Sequence, residues 1–272
     1  MKTRCALCFH ACALEEGQVG FCRARACRDG EIVPLNYGKI TSLALDPIEK
    51  KPLRHFHPGS RILSVGSFGC NLRCPFCQNH EISMADASFP TTALSPVELA
   101  DRARSLPGNI GLAYTYNEPL IGYEFVRDCA VQVRARGQVN VLVSNGTLAE
   151  GPWRELLPLL DAANIDLKGF TETWYRRLDG DLDTVKRNIA LAAGEIHLEV
   201  TTLLVPGEND RPAEIRALSK WLADLRPDIP LHLSRFFPRC QFRDRAPTPV
   251  ETVYRLAEEA RAYLQYVYPG NC

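Results

Sequence analysis

The sequence predicts an α/β fold in which six β-then-α units follow a small Cys-rich N-terminal appendage. From Arg61 onward, short apolar runs alternate with segments of helical period. The runs are apolar almost throughout, as in Val139-Asn140-Val141-Leu142-Val143, which is the pattern of parallel strands covered on both faces. Parallel strands need a crossover, and the crossover usually contains a helix. With 46% apolar and 24% charged residues, the 272-residue chain has the composition of a globular protein with a sizeable core. Six such units fit either an open doubly wound sheet or a partial (β/α)6, TIM-like barrel.

In chain order, residues 1–60 are expected to form the metal-binding appendage and a lead-in, and residues 61–272 the six units. The predicted strands are Arg61–Ser67, Asn109–Thr115, Val139–Asn145, Ala163–Lys168, His197–Leu204 and Pro230–Phe237. The predicted helices are Pro96–Ser105, Leu120–Arg136, Pro152–Leu160, Asp183–Ala193, Pro212–Leu225 and Pro249–Tyr266. Ser95-Pro96 and Thr248-Pro249 are start signals, because proline suits the first helical position. No G-x-G-x-x-G follows the first strand, and no P-loop G-x-x-x-x-G-K-[ST] occurs. Polar residues gather instead at the C-terminal ends of the runs: Phe68-Gly69-Cys70, Tyr116-Asn117-Glu118, Ser144-Asn145-Gly146 and Asp166-Leu167-Lys168. Active sites of parallel α/β sheets and barrels lie at that edge.

Cysteine carries the chemical signal. Of 11 cysteines, Cys5, Cys8, Cys12, Cys22, Cys27, Cys70, Cys74 and Cys77 lie near the N-terminus, at spacings that suit thiolate metal ligands better than a disulfide framework. Cys70-x3-Cys74-x2-Cys77 directly follows the first strand. Three thiolates in one loop suit a [4Fe–4S] cluster with one iron open to a ligand; a zinc loop completed by a residue such as His80 is the alternative. Cys5-x2-Cys8-x3-Cys12-x9-Cys22 fits a second site, either a tetrahedral zinc or an auxiliary iron–sulfur cluster. Cys27, Cys129, Cys240 and Cys272 have no such spacing and read as small apolar packers or exposed thiols.

With Phe76 as its aromatic, the C-x3-C-x-aromatic-C loop resembles that of the radical S-adenosylmethionine (SAM) superfamily. Asp46-Pro-Ile-Glu-Lys-Lys-Pro-Leu, Gly69-Cys-Asn, Gln78-Asn79, Tyr116-Asn-Glu118-Pro119 and Asp166-Leu-Lys168 resemble the pyruvate formate-lyase activating enzyme group, nearest to the radical SAM enzyme of the AmmeMemoRadiSam system. The resemblance spans nearly the whole chain. It implies a partial barrel whose open iron is chelated by SAM. Reductive cleavage of SAM then gives methionine and a 5′-deoxyadenosyl radical that abstracts hydrogen. It implies that Glu118 receives the SAM amine, in a chain that has Tyr116-Asn117 where the G-G-E-P motif has two glycines. It further implies that Asn145 contacts the ribose, that Lys168 meets the SAM carboxylate, and that Ser144 joins Asp166 in a monovalent-cation site. Asp166 and Lys168 alternate with Leu167, so a strand would turn both to one side. His232, with Ser234 on the same strand face, is a further cofactor-site candidate whose bland reading is a satisfied core histidine. Val205-Pro-Gly-Glu-Asn-Asp210 resembles a family loop near the cofactor, and a Pro-Gly turn with a helix cap explains the same residues.

Thirty-two basic residues balance thirty-two acidic ones, which argues against nucleic-acid and anionic-membrane partners. No run of 18 apolar residues exists, so no transmembrane helix is expected. Lys2 and Arg4 precede the apolar run Cys5–Leu14, but His10 interrupts it and no A-x-A site follows, so a cytoplasmic location is expected. The expected partners are SAM, a reductant such as flavodoxin or ferredoxin, and a substrate that is a protein, a small molecule or SAM itself. A non-catalytic iron–sulfur electron carrier and a zinc-dependent nucleic-acid module are the competing classes; a carrier would need no SAM pocket.

Overall fold

Apolar runs become strands here because both their faces find cover. The computed structural model describes residues 2–272. One sheet holds eight strands in the spatial order 42–47, 61–66, 109–114, 139–144, 162–166, 197–204, 231–235 and 267–270. Ser42–Pro47 pairs antiparallel with Arg61–Gly66, and every later neighbour pair is parallel. The strands stand side by side in chain order, without the reversal that defines a doubly wound sheet. Helices follow on one side, so the sheet curls as a partial TIM-like barrel.

Alternation along each strand divides the core in two. Leu63, Leu112, Leu142, Ile165, Val200 and Leu231 face outward and pack under the helices. Ile62, Ala113, Val141 and Ala162 face the lumen and meet Ile48 and Leu53, so the segment after Ser42–Pro47 closes the barrel floor. The helices begin and stop at local signals. Ser95 and Glu98 form a capping box ahead of Pro96–Ser105, and Asp181 accepts the Thr184 N–H to cap Leu182–Ala193. Among the described residues, no helix is long and apolar enough to cross a membrane.

Several elements differ from the sequence reading. Ser42–Pro47 lies in the segment read as lead-in but joins the sheet as its edge. Val267–Gly270 is a seventh parallel strand, directly after the predicted helix Pro249–Tyr266, which stops at Arg261. A further helix, Glu172–Arg177, is capped by Thr171. The appendage is built of hairpins: Thr3–Arg4 with Ala13–Leu14, and Arg25–Arg28 with Glu31–Pro34.

Candidate cofactor site at the strand ends

The loop after Arg61–Gly66 carries Cys70, Cys74 and Cys77, all half-buried. Its entry is fixed by Gly69, whose φ of +87° favours glycine; a Cβ there would also lie 2.5 Å from the Cys22 carbonyl oxygen. The Gly69 N–H donates to the Ile82 carbonyl at 2.8 Å, the Arg73 N–H to the Leu178 carbonyl at 2.9 Å, and the Gln241 N–H to the Pro75 carbonyl at 2.8 Å. Burial pushes the Cys74 thiol up to about 12, against the pull of the Lys168 cation. Burial, reinforced by the Glu118 carboxylate, likewise raises Cys70 well above the ordinary range. Such thiols bind as thiolates only where a metal supplies the compensating charge. The donor set therefore fits an iron–sulfur cluster held by three thiolates, with its fourth iron left open.

Glu118, Ser144 and Asn145 meet behind this loop. Glu118 is only 3% exposed. Its Oε1 accepts the Ser144 hydroxyl at 2.8 Å and the Leu120 N–H at 3.0 Å, and its Oε2 accepts the Asn145 N–H at 2.7 Å. Burial raises its carboxyl from 4.5 to about 7 despite these three donors. No basic side chain bonds to it among the described residues. The Asn145 amide donates to Asn71 Oδ1 at 2.9 Å and reaches Cys70 Sγ at 3.9 Å, while its oxygen accepts the Thr147 hydroxyl at 2.6 Å. Asn71 closes the ring by donating to Thr147 Oγ1 at 2.7 Å. Asn71 and Thr147 are the residues that the sequence reading left without a role. Their signal was position, one directly after Cys70 and the other two residues past Asn145.

Tyr116 adopts φ +73°, so the chain takes a glycine-like turn at the position where the motif has glycine. Its ring lies over Gly66, where a Cβ would meet Tyr116 at 2.9 Å. Its hydroxyl donates to Asp46 at 2.7 Å, and Asp46 is paired with buried Lys51 at 2.8 Å. The Asp46–Lys51 stretch is thereby anchored to the site wall.

Lys168 Nζ sits 2.7 Å from Asp166. Burial works against its charge, but Asp166 and the Cys74 thiol outweigh burial and raise it. Phe76 is buried against Trp174, with ring centroids 5.8 Å apart, and in a cluster with Val205 and Phe236; it backs the cysteine loop with an apolar wall. Asn209, from the Val205–Asp210 loop, donates to the Lys168 carbonyl at 2.7 Å.

Two expected neighbours are kept apart. Ser144 pairs with Ile165, and Asp166 pairs with Thr201, so alternation turns Ser144 and Asp166 to opposite faces, and the Ser144 hydroxyl is engaged by Glu118. His232 lies near the start of its strand, at the barrel floor. Its Nε2 is 2.6 Å from Glu199 Oε2, and Glu199 also accepts the Arg54 and His55 N–H groups at 2.8 and 2.7 Å. His232 is a satisfied interior histidine at the end of the barrel opposite the cysteine loop.

Cys5, Cys8, Cys12 and Cys22 line one cavity between the appendage and Ile121. Among the described residues, no three His, Cys, Asp or Glu side chains stand at the spacing that one metal ion imposes.

Comparison with known proteins places these features in context. Residues 64–218 match the family model of the radical SAM superfamily. An uncharacterised protein of Methanocaldococcus jannaschii, MJ0808, is 38% identical over 99% of this chain and 81% of its own length. Among solved structures, a domain of pyruvate-formate lyase-activating enzyme from Bacteroides vulgatus is 20% identical, with a TM-score of 0.52 over 59% of this chain and 99% of that one. Streptococcus suis SuiB bound to S-adenosylmethionine is 11% identical, with a TM-score of 0.59 over 78% of this chain and 52% of that one. A second SuiB structure, bound to precursor peptide SuiA, also scores 0.59 over 76% of this chain and 47% of that one. At these identities the structural likeness is one of fold.

Proposed function

This chain belongs to the radical SAM superfamily, and from that premise we propose that Cys70, Cys74 and Cys77 hold the [4Fe–4S] cluster at which it cleaves SAM. Membership makes it an enzyme that uses a cluster, SAM and a one-electron reductant. The cluster, when bound, supplies the electron that breaks the SAM sulfonium and yields a 5′-deoxyadenosyl radical for hydrogen abstraction. The carrying observation is the bonded network that joins Cys70, Asn145 and Glu118, drawn from the ends of three neighbouring strands.

The chain's own residues bind and orient. A carboxylate has about four lone-pair sites, and Glu118 spends three inside the protein. The fourth, on a buried group that lacks a cation, suits the SAM amine, a charge-assisted bond. Lys168, held beside Cys74 by Asp166, suits the SAM carboxylate. Asn145, fixed by Asn71 and Thr147, stands where the ribose would pass. Phe76 keeps water from the loop's far side.

For the substrate we propose a polypeptide segment that enters the lumen, as in glycyl-radical activation. The fold shared with the activating-enzyme domain and with peptide-bound SuiB supports this reading. A small molecule, or SAM itself, would show as a different product. We keep residues 1–60 as an appendage with a metal-binding role, apart from the edge strand it lends to the barrel. The test is anaerobic reconstitution with iron and sulfide, dithionite reduction and assay for 5′-deoxyadenosine. Wild type should produce it, and Cys74→Ala should lose both the visible cluster absorbance and the product. Product formed by Cys74→Ala would overturn the assignment.

A further inference from the structure

Four cysteines of the appendage converge although they come from two separate turns. The hairpin that pairs Thr3–Arg4 with Ala13–Leu14 carries Cys5, Cys8 and Cys12 on its loop, and the Cys5 N–H donates to the Cys12 carbonyl at 2.8 Å. Cys22 arrives from the next turn, where the Arg23 N–H donates to the Gly20 carbonyl at 2.9 Å. All four thiols line one cavity of about 10 Å³, otherwise walled mainly by Leu7, Leu14, Phe21 and Ile121; that is the room of about one water molecule. The polar side chains at its edge are committed elsewhere. Arg25 forks onto Glu124 at 2.6 and 2.7 Å, and His10 Nε2 sits 2.8 Å from the Asn71 carbonyl oxygen. The cavity thus offers a ligand four sulfurs and no carboxylate.

That donor set and that volume select the ligand. Four thiolates around a point form a structural zinc site with Zn–S distances of about 2.3 Å. The four side chains stand wider apart than one ion holds them, so zinc would draw the sulfurs inward on binding. A space of about 10 Å³ suits a single ion better than a four-iron cube. The same turns are bound to the cluster loop. The Asn71 carbonyl meets His10, Arg73 donates to the Phe21 carbonyl and stacks 3.9 Å over its ring, and the Ala149 N–H donates to the Leu7 carbonyl at 2.9 Å. Cys8 bridges Leu148, and the Cys22 carbonyl abuts Gly69. We propose that Cys5, Cys8, Cys12 and Cys22 bind one zinc ion, and that this ion braces residues 69–73 and 145–149 from behind. The bracing role rests on reading 70–77 as the cluster loop; the zinc site does not.

The experiment uses the full chain purified from zinc-replete medium, with metal content read by elemental analysis and native mass spectrometry. Wild type and the Cys70→Ala/Cys74→Ala/Cys77→Ala triple variant should each carry one zinc. Cys5→Ser/Cys22→Ser should carry none, and Cys27→Ser should keep it. Wild type without zinc, or zinc that survives Cys5→Ser/Cys22→Ser, overturns the site. Iron and sulfide bound by the same four cysteines in the triple variant overturn the single-ion assignment. For the brace, zinc is stripped from wild type with a chelator, which avoids a variant that fails to fold, and amide exchange is followed. Exchange at residues 69–73 and 145–149 should rise about tenfold or more; unchanged exchange there overturns the brace. Neither readout involves SAM, so a failure of the SAM assignment would not be mistaken for a failure of this one.

Discussion

Replacing Glu118 with glutamine tests the electrostatics of the site without any cofactor. In the folded chain this 3%-exposed carboxyl is raised by burial from 4.5 to about 7; in the unfolded chain it returns near 4.5. Between those values the folded state holds the extra proton, so stability is greatest below 4.5 and falls as pH rises through 7. At 1.36 kcal/mol per pH unit the fall is about 3 kcal/mol. Glutamine does not titrate, so it abolishes this fall. Its carbonyl can still take the Ser144 hydroxyl and the Leu120 N–H, but its NH2 group then faces the Asn145 N–H. One unpaired donor costs about 1–3 kcal/mol at every pH. The variant should therefore be the less stable protein at pH 5 and should draw level with wild type near pH 8. Urea unfolding of both chains from pH 5 to 8.5 under reducing conditions, read as the difference between them, isolates this residue from the other titrations. A gap that stays constant across that range would refute the reasoning, because it would mean that Glu118 titrates alike in both states.

Two further substitutions probe the frame. Tyr116→Gly should be more stable than Tyr116→Ala by about 1 kcal/mol in urea unfolding, because both lose the Asp46 hydrogen bond but only alanine keeps the strain of φ +73°. Equal stabilities would deny that strain. Burial acts to raise Glu199, but His197, His232 and the Arg54 and His55 N–H groups prevail and hold it at about 2, below its ordinary 4.5. Its contribution of about 3 kcal/mol is complete above pH 4.5 and lost as pH falls toward 2. Glu199→Gln should therefore lower stability by about that amount at pH 7 while leaving SAM affinity by calorimetry unchanged; altered affinity would tie the floor to the cofactor site.

The architecture was legible wherever periodicity and burial agreed. His197–Leu204 and Pro212–Leu225 lie where the pattern put them, because a strand covered on both faces and an amphipathic helix each leave a clear trace. Val267–Gly270 left none: it is four residues long and contains a proline and a glycine, and it becomes a strand only because Leu231–Arg235 offers its edge. Ser42–Pro47 is likewise strand by virtue of its neighbour, since it lies at an edge and is only partly covered. For the candidate site, cysteine spacing and strand-end polarity singled out Cys70, Glu118, Asn145 and Asp166 as candidates. What spacing cannot give is the direction a side chain takes at a strand's end. Only the structure shows that Ser144 bonds Glu118 and that His232 bonds Glu199.

The bridge between Cys8 and Leu148 sets an order of events when the chain is made. Leu148 emerges from the ribosome roughly 140 residues after Cys8, so at about 5–20 residues per second the N-terminal hairpin waits roughly 7–30 s for the surface it will cover. Throughout that interval its thiols are open to oxidants and to any soft metal within reach. A segment made that much earlier gains from reaching a settled shape by itself, and four sulfurs within 18 residues of one another are close enough in the chain to be drawn together early. On that account the hairpin would reach the ends of the barrel strands already formed, and the cysteine loop would be completed against a surface that is waiting for it.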